Sequence, residues 1–156
     1  MTDLLKIESP AFDNGGYIPT KYTSDGENIN PPIKISGVSD QAKSLVLIID
    51  DPDAATDPDG PGMTFDHWVL FSIDASTSLI DENSIPPGAI QGQNGLGQSQ
   101  YIGPAPPNGI HRYFFNLYEL KGKLDLNQNA TKIDVLSAID GLTTAKAELI
   151  GIYKKA

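Results

Sequence analysis

The chain has 156 residues, a length that suits one domain able to bury about two-thirds of the surface that its unfolded form exposes. It contains no cysteine, which excludes disulfides, thiolate catalysis and cysteine-ligated metal centres. Its net charge of −9 opposes nonspecific binding to nucleic acid and to anionic membrane surfaces. A small anion is not opposed in the same way, because salt screens distant charges over about 8 Å and a local cluster of donors then dominates.

The chain shows no sign of membrane insertion or export. Its longest uninterrupted apolar run, residues 45–49, is far too short to span a membrane. The first six residues lack the basic and apolar regions of a signal peptide. The sequence therefore predicts a single domain over residues 1–156 that is soluble and cytoplasmic.

Short apolar runs separated by glycine and proline are typical of a β-rich domain with long loops. The run at residues 45–49 is purely aliphatic, which favours a strand covered on both faces. Later runs are rich in aromatic and β-branched residues. A β-sandwich, or a sheet covered by a second layer, is expected. The predicted strands are Ile33–Ile35, Leu45–Ile49, His67–Ile73 and Arg112–Leu120.

The spacing of apolar residues changes near Thr131 and predicts two C-terminal helices packed on the β body. Thr131 or Asn129 is expected to cap the first helix, and Gly141 to end it. The residues at helical spacing are Ile133, Leu136, Ala138 and Ile139 in the first helix, and Ala145, Ala147, Leu149 and Ile150 in the second. Residues 91–100, rich in glycine, glutamine and asparagine, are predicted to form a loop.

Both histidines begin strand-like runs beside carboxylates or rigid turns. His67 follows Asp66 at the start of the third predicted strand, and His111 follows a Pro-Pro-Asn-Gly turn at residues 106–109. Histidine is the side chain that ordinarily titrates near neutral pH. Two histidines at one edge of a sheet would therefore form a titratable site.

Alternation along the strands predicts which side chains join the histidines. His111 shares a face with Tyr113 and Phe115, whereas Arg112 points to the opposite face. In the third strand, the residues predicted to share a face with His67 are Val69, Phe71 and Ile73.

Two aspartates follow the second predicted strand. If residues 51–53 continue in extended form, Asp51 and Asp53 point the same way, and Pro52 favours this by excluding helix at the residue before it. Arg112 has a planar fork that suits a bidentate pair with a carboxylate such as Asp53. We expect this pair to be a structural salt bridge, with ligand binding by Arg112 as the alternative.

Such a set of side chains could hold a small anion. Imidazole N–H groups and a tyrosine hydroxyl donate to phosphate or carboxylate oxygens, and neighbouring carboxylates favour protonated histidine. The alternative is that these groups only satisfy one another's hydrogen bonds. A metal-dependent hydrolase using His67, His111 and Asp51 is a second alternative, although no paired-histidine spacing on one element supports it.

The order of several motifs resembles the phosphatidylethanolamine-binding protein family, in particular its prokaryotic, Raf kinase inhibitor-like branch. The central motifs are Asp-Pro-Asp-Ala at 51–54, His-Trp at 67–68, Gly-Pro-Ala-Pro-Pro at 103–107, Gly-Ile-His-Arg-Tyr-Phe-Phe at 109–115 and Leu-Tyr-Glu-Leu at 117–120. Residues 14–26, 30–32 and 147–153 also match the family's terminal segments. The resemblance thus covers almost the whole chain.

The resemblance implies a mainly β fold, an antiparallel β-sandwich with C-terminal helices, and a small anion pocket at the end of the sheet. The pocket positions that it implies are Asp51, Asp53, His67, His111 and Tyr113, with a wall at residues 103–107 that includes Pro104. The chain departs from the family at the acidic, glycine- and proline-rich segment 56–64 and at Ala55, where proline is usual.

The function predicted from the sequence is therefore a noncatalytic protein that binds a phosphate or carboxylate headgroup, such as that of a phospholipid, without a cofactor or a metal ion. The resemblance also implies regulation or inhibition of a protein kinase or a protease, and a homodimer in the prokaryotic branch. No nucleic-acid partner is expected, because the chain is acidic and lacks a stripe of basic and aromatic residues.

Overall fold

The computed structural model describes residues 5–156 and consists mainly of β-strands. The strands are β1 (Lys6–Glu8), β2 (Ile33–Ser36), β3 (Ser44–Asp51), β4 (Phe65–Ile73), β5 (Leu79–Ile80), β6 (Ile90–Gln91), β7 (Ile110–Leu120) and β8 (Thr143–Lys154), and the α-helix α1 spans Lys132–Ile139. The strands form a five-stranded antiparallel sheet, in the order β6-β4-β3-β7-β8, and a three-stranded antiparallel sheet, in the order β1-β2-β5. Among residues 5–156, no helix is long and apolar enough to cross a membrane.

The central strand β3 is covered on both faces, as its aliphatic sequence predicts. Leu45, Leu47 and Ile49 pack in a cluster that joins the large sheet to the small one. Val46 and Ile48 point the other way and pack in a second cluster with residues of α1. Burial of a full aliphatic side chain contributes about 1.5–3 kcal/mol, so this strand anchors both layers. The predicted mainly β, two-sheet fold is confirmed.

The helix begins and ends where the sequence predicts. Thr131 is its N-cap, and the Thr131 hydroxyl and the Asp134 carboxylate each accept a hydrogen bond from the other residue's backbone N–H, which forms a capping box. Gly141 follows the C-cap with a φ of 82°, a conformation that glycine adopts without strain. The alternative cap, Asn129, lies before the helix.

The second predicted helix is wrong, because its residues form strand β8. β8 pairs with β7 from Leu120↔Thr143 to Ile110↔Lys154. Ala145, Ala147 and Leu149 pack against the cluster between the sheets, and they are spaced by two residues, as one face of a strand requires. Pairing along the whole of β7 thus overrides the weak helical pattern of an alanine-containing segment.

The predicted face alternation of β4 is also wrong, because its register against β3 shifts twice. Val69 and Phe71 pack in the cluster with α1, whereas Ile73 packs in the cluster between the sheets. The shift between them includes Ser72, which has a φ of 57°. The other shift leaves His67 between the paired residues Asp66 and Trp68, and such a bulge turns its side chain away from the face that simple alternation assigns.

The start of the wall at residues 103–107, together with Tyr101 before it, is held against the segment 22–28. The Tyr101 hydroxyl donates to the Tyr22 carbonyl over 2.7 Å, and the Gly103 N–H donates to Asn28 Oδ1 over 2.7 Å. A Cβ at Gly103 would lie 2.4 Å from the Tyr22 carbonyl oxygen and 2.8 Å from Thr23 Cα. This wall therefore has no space for a side chain at Gly103.

Gly103→Ala should lower the free energy of unfolding by about 1–3 kcal/mol, because backbone atoms must move to admit the methyl group. A urea titration measures this change. Gly122→Ala is the matched control, since its Cβ would meet the Leu142 side chain at an ordinary 3.4 Å. Equal stability of the two variants would contradict the close packing of the wall.

Candidate functional site

A cavity of about 250 Å³ opens at the end of the large sheet where β3 ends and β4 and β7 begin. Both histidines line it. Its polar lining is Asp51, Asp59, His67 and His111, and its apolar walls include Pro61, Phe65, Leu96 and Pro107. The combination of apolar walls and a few convergent polar groups is typical of a small-molecule site.

Asp51 ends β3 and caps the 3₁₀ turn Pro52–Ala55 that follows it. Its Oδ1 accepts hydrogen bonds from the backbone N–H groups of Asp53 and Ala54, at 2.9 and 3.2 Å. The condition under which Asp51 and Asp53 would point the same way, an extended chain over residues 51–53, is therefore not met, because the cap turns the chain at Pro52. Asp51 Oδ2 remains directed at His111.

The turn directs Asp53 away from the cavity and towards Arg112. The Arg112 guanidinium donates from Nε and Nη2 to the two oxygens of Asp53, at 3.0 and 2.8 Å, and the Arg112 backbone N–H donates to the same carboxylate. The hydrogen bonds from Arg112 lower the pKa of Asp53. The structure thus contains the ion pair that the sequence predicts. The arginine is about half exposed, so the pair contributes about 1 kcal/mol or less to stability.

His111 lies between two carboxylates. Its Nδ1 is 2.6 Å from Asp51 Oδ2, and its Nε2 is 2.8 Å from Asp57 Oδ2. An ionised carboxylate only accepts hydrogen bonds, so both ring nitrogens carry protons and the ring is an imidazolium ion. Burial opposes this charge, but the hydrogen bonds and charges of Asp51 and Asp57 outweigh burial and raise the pKa of His111. Burial also raises the pKa of Asp51, although the hydrogen bonds that this carboxylate accepts act in the opposite direction and lower it.

Asp57, which the sequence analysis did not assign to the site, closes the other side of His111. Its carboxylate accepts from the Asn108 side chain at 2.7 Å, the Asn108 backbone N–H at 3.0 Å and the Asp59 N–H at 3.0 Å. These bonds, above all that from the Asn108 side chain, lower the pKa of Asp57 to about 2. The local signal was the acidic segment 56–64, but nothing in the sequence shows that its carboxylate reaches a histidine more than fifty positions away.

His67 has the opposite protonation state. Its Nδ1 is 2.6 Å from the carbonyl oxygen of Ile102, which can only accept, so Nδ1 carries the proton. Burial lowers the pKa of His67 to about 4. The ring is therefore neutral near pH 7, with a lone pair on Nε2. The prediction that nearby carboxylates favour protonation thus fits His111 but is wrong for His67, which contacts the rings of Phe65 and Tyr113 instead.

Tyr113 contacts both histidines but does not line the cavity itself. Its ring contacts His67 edge-on, with centroids 5.2 Å apart, and stacks on His111 at 6.5 Å. The backbone of Ala105 lies close to the Tyr113 hydroxyl, but that buried hydroxyl has no hydrogen-bond partner of ordinary geometry among residues 5–156. Burial raises the pKa of Tyr113, so the phenol stays neutral.

The predicted site residues thus divide into two groups. Asp51, His67 and His111 line the cavity. The other three, Asp53, Tyr113 and Pro104, do not line it. Asp53 pairs with Arg112, the Tyr113 ring contacts the two histidines, and the Pro104 carbonyl accepts a hydrogen bond from the Ser24 N–H.

The contacts do not fit the alternative of a metal-dependent hydrolase. Both nitrogens of His111 are already bonded to carboxylates, one of them to Asp51 Oδ2, and His67 Nδ1 is bonded to a carbonyl oxygen. In the described part of the chain, no group of three or more His, Asp or Glu residues has an arrangement that could hold a metal ion.

Comparison with known proteins decides the family. The protein-family model for phosphatidylethanolamine-binding proteins matches residues 8–154. The chain belongs to this family. A UPF0098 protein from Methanothermobacter thermautotrophicus is 45% identical in an alignment that covers 97% of this chain and 99% of the relative.

Two crystal structures of family members share the fold. A phosphatidylethanolamine-binding protein homologue from Chlamydia trachomatis is 38% identical, with a TM-score of 0.91 over 99% of this chain and all of that chain. YbcL from E. coli, described as a member of the mammalian family, is 26% identical, with a TM-score of 0.87 over 97% of this chain and 99% of that one. Both agree with the two-sheet architecture of this family member.

The buried neutral state of His67 predicts a pH dependence of stability. In the unfolded chain His67 has an ordinary pKa of 6.5, against about 4 in the folded protein. Between these values the unfolded chain binds more protons, so stability falls as the pH falls, by up to about 3 kcal/mol from this residue.

His67→Asn keeps a donor near the Nδ1 position but does not titrate. Urea titrations of both proteins from about pH 7 to about pH 4 should show the wild type losing its stability relative to the variant. Parallel curves for the two proteins would show that His67 is not buried in its neutral form.

Proposed function

We propose that the cavity binds a small oxyanion, a phosphate or a carboxylate group, and that the protein is a binding protein without a catalytic role at this site. The contact that supports this proposal best is the one between His111 Nε2 and Asp57 Oδ2, at 2.8 Å. In this contact a protonated ring at the cavity wall already holds a carboxylate oxygen. A ligand oxygen in the same place would receive the same charge-assisted hydrogen bond.

The protonation states of the two histidines argue against general acid–base catalysis. His111 carries both protons and donates both to carboxylates, so it has no free lone pair to accept a proton. The Nε2 of His67 has a lone pair, but the low pKa of this ring makes it a weak base. Neither histidine is within hydrogen-bond reach of a serine, threonine or lysine nucleophile in the described contacts.

The expected affinity is modest. Two or three charge-assisted hydrogen bonds contribute about 1.5–3 kcal/mol each, whereas association costs at least about 4 kcal/mol. Binding in the millimolar to micromolar range follows for a bare anion. Tighter binding requires further contacts with a larger molecule, for which the apolar walls at Phe65, Leu96 and Pro107 offer surface. Regulation of a kinase or a protease, which family membership suggests, stays a prediction.

Addition of inorganic phosphate should shift the ring NMR signals of both histidines with saturable, millimolar to micromolar affinity. His111→Phe should weaken binding at least about tenfold, because it removes the charged donor. Arg112→Lys is the control, and its affinity should equal that of the wild type because Arg112 lies outside the cavity. Unchanged signals of both histidines at phosphate concentrations well above a millimolar would refute the proposal.

The affinity for an oxyanion should also rise as the pH falls from about pH 8 to about pH 5.5. An anion beside the neutral His67 favours its protonation, and binding then takes up a proton. Sulfate is the suitable probe, because it keeps one charge state over this range. Isothermal titration calorimetry in buffers of different ionisation enthalpy measures the proton uptake. A pH-independent affinity without proton uptake would place the anion away from His67.

A further inference from the structure

The acidic segment 56–64 places the carboxylate of Asp57 on His111 Nε2, a donor that the proposed ligand would use. The Asp57 side chain is only 2% exposed although it lies in a loop. Three of the donors that hold it belong to the start of β7 and the turn before it: the Asn108 N–H, Asn108 Nδ2 and His111 Nε2. Asp57 Oδ2 accepts from both the Asn108 N–H and His111 Nε2, as a bound carboxylate ligand would.

The same loop also closes the cavity. Asp59, Gly60 and Pro61 line it, and Asp59 Oδ2 accepts a hydrogen bond from Asn108 Nδ2 at 2.7 Å. Asn108 therefore bonds both acidic side chains of the loop. A change at Asp57 would therefore loosen the attachment of the loop and at the same time free the Nε2 donor of His111.

The charges at this point do not favour a second anion. Two carboxylates, Asp51 and Asp57, flank one imidazolium ion, which leaves one net negative charge in a largely buried cluster. An added anion would raise this to two negative charges in a site that water screens poorly. Exchange of the Asp57 carboxylate for a singly charged ligand anion instead keeps the charge unchanged and gives the three donors of Asn108 and His111 a new acceptor.

We infer that Asp57 is an internal substitute for the ligand, which a bound oxyanion displaces from His111 and Asn108. The inference rests on the proposed function of the cavity. It assigns Asn108 as a ligand-binding residue, through its backbone N–H and its side-chain amide. It also makes Asp57 the residue that sets affinity and selectivity, because a ligand must offer oxygen acceptors that replace those of a carboxylate.

This exchange selects among ligands. A phosphate or carboxylate group brings several oxygens and can satisfy the three donors that Asp57 leaves, whereas a halide presents one acceptor point. Mild acid does not open the site, since the hydrogen bonds from Asn108 hold the pKa of Asp57 at about 2. The ligand itself must therefore displace the loop.

Asp57→Asn removes the internal charge with little change of shape, and we expect it to tighten phosphate binding about tenfold or more. Asp40→Asn is the matched control, because it removes the same charge at an exposed position near the other end of β3. Calorimetric or NMR titration with inorganic phosphate and with acetate measures the dissociation constants of the three proteins. Sodium chloride at the same ionic strength is the reference for halide binding.

The outcomes separate the two proposals. Tighter binding by Asp57→Asn, with Asp40→Asn equal to the wild type, supports the exchange. If all three proteins bind phosphate with the same affinity, the anion site stands but Asp57 is not its internal competitor. If none of them binds, the proposed function itself fails.

One further measurement does not depend on how well Asp57→Asn folds. In the wild type, phosphate should shift the backbone amide signal of Asn108, because this N–H exchanges its bond to Asp57 for one to the ligand. An Asn108 amide signal that stays fixed while His111 shifts would overturn the exchange. Adding Asn108→Ala to Asp57→Asn should weaken phosphate binding several-fold, whereas a purely structural role of Asn108 in holding the loop would leave that affinity unchanged.

Discussion

The protonated ring of His111, held between Asp51 and Asp57, is the interaction on which the site depends. It joins three parts of the chain, since Asp51 ends β3, Asp57 belongs to the loop before β4, and His111 is the second residue of β7. Removal of one partner from such a buried group leaves an uncompensated charge, which costs about 3–5 kcal/mol. The ion triad therefore fixes where the end of the sheet, the loop and the cavity lie relative to one another.

The two histidines show how surroundings separate the properties of identical side chains. His111 faces carboxylates and is charged, whereas His67 faces a carbonyl oxygen and aromatic rings and is neutral. The cavity thus combines a fixed positive donor with a neutral ring, and under the proposed function this ring would gain a proton when an anion binds. A pair of this kind suits recognition of oxyanions over a range of pH better than it suits proton transfer.

The sequence predicted correctly those elements that are determined by their own residues. It did not predict the features that depend on how strands distant in sequence pair with one another. The aliphatic run of β3 and the helix cap at Thr131 carry their own information, and the structure confirms the covered strand and Thr131 as the cap. Strand β8 was predicted as a helix because its alternating pattern has meaning only against β7. The side of the sheet to which His67 points depends on a bulge in the pairing of β3 with β4. No residue of β4 indicates this bulge by itself.

The site shows the same division. The alternation of side chains along the strands and the family resemblance placed Asp51 and His111 together. The capped turn at Asp51 separates Asp53 from them. Asp57 was not assigned because its partners lie 51 and 54 positions away along the chain. Long-range hydrogen bonds of a loop are a property of the folded molecule, and the acidic composition of that loop alone indicates only a solvated segment.

Nitrogen-15 NMR of the imidazole rings near pH 7.5 measures directly whether His111 is the charged centre of the site, because the chemical shifts report which ring nitrogens carry protons. We expect protons on both nitrogens of His111 and on Nδ1 alone of His67. A neutral His111 at this pH would contradict the charged triad, since a neutral ring could not donate to Asp51 and Asp57 at once.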